Sequence, residues 1–138
     1  MATGPLANST LQAEQRRPAR GSEHVVARVG ELKPGDRKIV TIGSVEIGIF
    51  YIGDAYYAVR NICPHQSGPV ATGKIGGAVI ANANTDWEPE WFHDGEILGC
   101  PWHGLEFRIT TGQCLAHPKV RLRHYTVKIN GDEIKVIL

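Results

Sequence analysis

Two short segments carry the side chains best suited to hold a metal. Residues 61–68 read Asn-Ile-Cys-Pro-His-Gln-Ser-Gly, and residues 99–104 read Gly-Cys-Pro-Trp-His-Gly. Each offers one thiolate and one imidazole, Cys63 with His65 and Cys100 with His103. A lone Cys-x-His or Cys-x-x-His says little. The two together, each with a proline after its cysteine and each bounded by turn residues, form one constellation. Two cysteines and two histidines also close a tetrahedral zinc site, so the donor types alone leave the metal open.

The pair resembles the two-loop motif of the Rieske-type 2Fe-2S ferredoxin family, Cys-x-His followed downstream by Cys-x-x-His. The resemblance extends to the proline after each cysteine and to Gly104 after the second histidine, and runs from about residue 23 to the end. It implies one 2Fe-2S cluster, with Cys63 and Cys100 binding one iron and His65 and His103 the other. Two ferric ions, two sulfides and two thiolates sum to zero charge, whereas four thiolates would leave the oxidised cluster at minus two. An added electron then meets less repulsion, which places such clusters at roughly −150 to +300 mV, above plant-type ferredoxins.

High-potential members of the family add a cysteine to each loop, joined as a disulfide, and place a serine and a tyrosine after the second loop. Gly68 and Trp102 stand at the two cysteine positions here, and Leu105 and Phe107 at the two hydroxyl positions. Without those hydrogen bonds to sulfur, the potential belongs at the low end of the range. The resemblance therefore implies a soluble, low-potential electron carrier and not an enzyme in itself. Such a carrier moves electrons from a flavin-dependent reductase to a terminal oxygenase or similar acceptor, docking at the His65 and His103 tip. A small Rieske subunit of a larger redox enzyme, such as a nitrite reductase, is the alternative. A structural zinc module is a distant one, because such modules do not show this pair of Pro-bearing loops in an all-β chain. A Rieske oxygenase would need a mononuclear-iron domain after the cluster domain, and on a length of 138 residues none is expected here.

The elements that must position these loops are strands. From His24 onward, short runs rich in Val and Ile alternate with turn signals such as Lys33-Pro34-Gly35-Asp36 and Ile42-Gly43-Ser44. The pattern predicts strands over 25–29, 38–42, 45–51, 56–59, 125–129 and 133–137, with an Asn130-Gly131 hairpin turn between the last two. Residues 107–109 are expected to pair with the residues just after the Thr111-Gly112-Gln113 turn. No window shows apolar residues at helical spacing, so the fold class is all-β: an antiparallel sandwich or barrel base with an inserted two-loop cluster-binding subdomain over about 61–118.

Residues 1–22 have almost no large apolar side chains and read as a disordered tail. Fifteen basic and fourteen acidic residues nearly balance, so neither nucleic acid nor a membrane is expected as partner; a redox protein is. With no apolar run near the roughly 20 residues of a spanning helix and no export segment, a cytoplasmic protein is expected.

Thirty-four residues separate His65 from Cys100, more than in compact Rieske ferredoxins, so an insertion is placed at about 76–96. It holds Trp87, Trp91 and Phe92 among five acidic residues. The favoured reading is a flap with its tryptophans packed on the cluster subdomain, the other a docking element for a basic partner. Around the ligands, Pro64, Gln66, Pro101, Trp102, Gly104 and Pro118 are the expected surroundings: prolines stiffen the turns, and Trp102 shields the cluster or meets the partner. Cys114 is expected to be a structural thiol, and His24, His93, His117 and His124 surface or packing histidines. Reduction adds negative charge beside His65 and His103 and so favours protons on their outer nitrogens. The midpoint potential is expected to fall with pH in the alkaline range, and a flat titration to strongly alkaline pH would contradict this.

Overall fold

β-Branched and aromatic side chains at alternate positions build half-buried strands. The computed structural model, which describes residues 17–64, 67–102 and 104–138, forms six of its strands at the predicted places, each within two residues of the predicted bounds. These are β1 (Glu23–Arg28), β2 (Arg37–Ile42), β3 (Val45–Ile52), β4 (Ala55–Arg60), β8 (His124–Asn130) and β9 (Glu133–Ile137). They make one antiparallel sheet in the order β1-β9-β8-β4-β3-β2. Lys38 on the β2 edge reaches the β1 edge, donating to the Val26 carbonyl at 2.9 Å and pairing with Glu31 at 2.7 Å. The sheet thus curls toward a closed barrel. The last hairpin turns one residue later than predicted: Asn130 pairs with Glu133, leaving Gly131 and Asp132 as the two-residue loop. Gly131 takes the positive φ of 65° that the first position of such a loop favours.

β5 (Lys74–Ile80), β6 (Glu90–Gly99) and β7 (Glu106–Arg108) form a second, three-stranded antiparallel sheet. Most of β5 and of β6 falls within the span predicted only as an insertion. Gly76 and Gly77 in β5 and the acidic residues of β6 weaken the strand signal there. The residues between 76 and 96 are the outer part of a long hairpin. A wide bulge sets residues 93–96 against Gly77 alone, between the pairs Gly76↔Ile97 and Ala78↔Phe92. Phe107 pairs with Cys114 as expected.

The pleat of β3 and β4 divides the interior in two. Ile47, Ile49 and Ala58 face the barrel core with Val45, Ile134 and Val136, while Phe50 and Val59 face the core shared with the smaller sheet. Gly48 lies on the second face: a Cβ there would stand 2.6 Å from the Ala71 Cβ, so the 3₁₀ turn Val70–Thr72 presses directly on β3. Arg37 clamps the same turn, donating to the carbonyls of Ala71 at 3.0 Å and of Gly73. Asn61, 5% exposed, is the third tie. Its backbone N–H donates to the Glu46 carbonyl at 2.8 Å, its side-chain N–H to the Glu46 carboxylate, and its Oδ1 accepts from the Ala71 N–H at 2.7 Å.

Residues 1–16 of the expected tail lie outside the described residues. Its last residues return to the sheet: the Gly21 N–H donates to the Leu138 carbonyl, and the Leu138 N–H to the Ser22 carbonyl at 3.0 Å. No helix among the described residues is long and apolar enough to cross a membrane.

Filling the Gly48 contact should separate the sheets. Gly48→Val is expected to cost about 1–3 kcal/mol by overpacking, read as a lower midpoint in urea unfolding. An unchanged midpoint would show that the turn does not bear on β3.

Candidate metal centre

Each cysteine opens a loop closed by the same two backbone hydrogen bonds. The Cys63 N–H donates to the Gly68 carbonyl at 2.7 Å, and the Ser67 N–H to the Cys63 carbonyl at 2.8 Å. The Cys100 N–H donates to the Leu105 carbonyl and the Gly104 N–H to the Cys100 carbonyl, both at 2.8 Å. In register, Cys63 matches Cys100, Pro64 matches Pro101, and Ser67 matches Gly104. The last pair share a left-handed backbone, with φ of 58° and 69°. Glycine adopts this freely, and the bond to the cysteine carbonyl holds Ser67 there against its Cβ.

Both thiols are 3% exposed and sit in one apolar core with Phe50, Val59, Val70, Leu98, Phe107 and Ile109. Leu105 packs against the same core. Leu105 and Phe107 bring no hydroxyl to it, as their side-chain types dictate. Thiolates buried in such surroundings need a cation beside them to offset their lost hydration. The two loops also meet: a Cβ on Gly68 would stand 2.9 Å from Cγ and Cδ2 of Trp102 and 3.2 Å from the Cys100 sulfur. The indole and the second thiol thus both rest on the residue that closes the first loop. Trp102 remains 57% exposed, so one side of it covers the Gly68 backbone and another faces solvent.

His65, Gln66 and His103 lie outside the described residues. Among the described residues no three His, Cys, Asp or Glu side chains cluster to hold a metal. The two sulfurs fit a metal centre only with donors from elsewhere, and His65 and His103 follow them by two and three residues in the same short loops. Pro64, Pro101 and Gly104 are exposed at the loop tips. Pro118 is also exposed, in the segment after Cys114, where its carbonyl accepts from Gln113 Nε2 at 3.4 Å.

The remaining candidates take ordinary places. Cys114 is fully buried in the same core, but its N–H donates to the Val120 carbonyl at 3.0 Å in a strand-like pairing, not in a cysteine-opened loop. His24 shares a hydrogen bond with the Ser22 hydroxyl at 2.7 Å, and His124 with the Ile109 carbonyl at 2.8 Å. His117 is exposed and His93 lies in the β6 bulge. Sequence reasoning assigned no role to Asn61 or Arg37. Asn61 carried one signal, a polar residue just before the first cysteine loop; Arg37 carried none.

The sequence model of the Rieske 2Fe-2S domain matches residues 22–127. Ferredoxin CarAc of Metapseudomonas resinovorans is 24% identical over 113 residues, covering 80% of this chain and 89% of that protein. The solved ferredoxin of carbazole 1,9a-dioxygenase from Nocardioides aromaticivorans IC177 is 28% identical, with a TM-score of 0.60 over 83% of this chain and 96% of the other. A candidate small subunit of an NADH-dependent nitrite reductase from Mycobacterium tuberculosis is alike in fold, 18% identical with a TM-score of 0.62, over 85% of this chain and 95% of that one.

The loop contact yields a contrast among variants. Cys100→Ala and Gly68→Val are expected to lose most of the iron and acid-labile sulfide, while Cys114→Ala keeps two of each per chain and loses only packing energy, about 1–2 kcal/mol. Full cluster content in Gly68→Val, checked by iron and sulfide assay, would contradict the packing of the loops.

Proposed function

The chain belongs to the Rieske 2Fe-2S domain family, and we propose that it serves as a one-electron carrier between a flavin-dependent reductase and a terminal oxygenase. The ligands in this reading are Cys63 and Cys100 on one iron and His65 and His103 on the other. A bound Rieske cluster supplies a single site for one electron. The observation that carries the reading is the matched pair of loops, with both cysteines buried in one core and the Trp102 ring and the Cys100 sulfur resting on Gly68 of the first loop.

The chain's own residues suit that task. Phe50, Val59, Leu98 and Phe107 keep water from the sulfurs, which strengthens every charge interaction made there. Pro64 and Pro101 fix φ beside each cysteine, and the four backbone hydrogen bonds hold the loops closed. Little rearrangement then accompanies a change of charge. The apolar Leu105 and Phe107 beside the thiols support a potential at the low end of the Rieske range, which a nicotinamide-fed flavin reductase reaches easily.

The oxygenase end of the pathway draws on the carbazole dioxygenase ferredoxin, to which the chain is similar over most of both lengths. The nitrite reductase likeness is one of fold and gives the competing reading, a fixed subunit of a larger enzyme. Spectroelectrochemical titration tests the proposal. The purified chain alone should take up one electron per two irons, reversibly, with a midpoint in the lower half of roughly −150 to +300 mV. A midpoint near the top of that range, or a chain stable only with a large catalytic partner, would contradict it.

A further inference from the structure

The near-balance of charge over the whole chain conceals an acidic stretch. Residues 61–107, which hold both cysteine loops and the β5–β6 hairpin, contain one lysine and six acidic residues; the rest of the chain holds fourteen basic residues against eight acidic. Within the acidic part, Glu96 is neutralised by Arg108 at 3.4 Å and also accepts from the Thr110 hydroxyl at 3.2 Å. Asp94 holds the Trp91 indole N–H at 3.1 Å. Asp86, Glu88 and Glu90 are exposed and make no ion pair among the described residues.

The same hairpin shows solvent its largest apolar side chains. Trp87 is 71% exposed, Val79 66% and Trp91 58%, the last lying along the Gly77 backbone, where a Cβ would stand 2.5 Å from its ring. The tryptophans expected to pack on the cluster subdomain therefore face outward. The Trp87 N–H donates to the Asn82 carbonyl at 2.8 Å. This surface is continuous with the second cysteine loop: Gly104 lines one groove with Val79, Ile80 and Leu115, and a second with Gly77 and Trp91.

From this juxtaposition we infer that the hairpin around Trp87 and Trp91 is a docking arm for a redox partner with a basic face, extending the contact surface outward from the cysteine loops. The inference rests on the electron-carrier reading. Exposed aromatics supply contact area, since such residues are enriched at interfaces and unusual on free surface. Unpaired Asp86, Glu88 and Glu90 supply the steering field, whose sign selects a cationic partner and repels an acidic one.

The probe is cytochrome c, a basic haem protein that accepts one electron, mixed in stopped flow with the dithionite-reduced holoprotein; ferricyanide, a small anion, is the control acceptor. For the wild type, the second-order rate constant with cytochrome c should fall steeply as salt rises from about 0.01 to 0.5 M. The triple variant Asp86→Lys, Glu88→Lys, Glu90→Lys should be slower by about tenfold or more at low salt and nearly salt-independent, with iron content and the reduced-state magnetic resonance spectrum unchanged. Trp87→Ala should slow the reaction several-fold at high salt, where steering is screened. A triple variant as fast as wild type toward cytochrome c would overturn the docking inference and leave the carrier reading standing. Failure of the reduced wild type to pass electrons to either acceptor would instead overturn the carrier reading.

Discussion

Everything chemical in this chain depends on the meeting of two loops. Each is closed by its own pair of backbone hydrogen bonds. The Trp102 ring and the Cys100 sulfur against the bare Gly68 backbone turn them into one site. A two-thiolate centre needs its sulfurs held at a fixed separation before the metal arrives, or binding must also supply the ordering. The shared apolar core supplies it here, holding both cysteines together with Phe107 and Leu98.

That core is anchored from beneath. β3 presents Ile47 and Ile49 to the barrel and Phe50 to the loops, so one strand belongs to both halves of the molecule. Gly48 allows the 3₁₀ turn to sit on the strand, and Asn61 and Arg37 satisfy the polar backbone that this close approach buries. A buried carbonyl or N–H left without such a partner would cost about 1–3 kcal/mol each. The barrel acts as a seat of balanced charge beneath the acidic loops and hairpin.

Sequence made the base sheet and the cysteine loops readable for different reasons. Strands such as β3 and β9 declare themselves by Val and Ile between turn residues, a local signal. The loops declare themselves by the pairing of rare residue types at fixed spacing, and Gly68 and Trp102, matched to one another by resemblance, do touch. β5 and β6 were hidden because Gly76 and Gly77 and the carboxylates of Glu90, Asp94 and Glu96 interrupt the run of Val and Ile that marks a strand. The direction of Trp87 and Trp91 was hidden too. Composition shows that aromatics are present, while their exposure depends on a bulge and a left-handed turn that no local pattern announces. Asn61 and Arg37 act across 10 and 34 residues of sequence onto Ala71, and a single sequence carries no trace of such pairings.

The claim on which the rest stands is that the two loops hold one 2Fe-2S cluster through two cysteines and two histidines. Electron paramagnetic resonance of the dithionite-reduced protein, with iron and acid-labile sulfide assays on the same sample, addresses it most directly. The account predicts a rhombic signal with an average g clearly below that of all-cysteine clusters, and two irons and two sulfides per chain. A colourless, silent protein that carries zinc would contradict it.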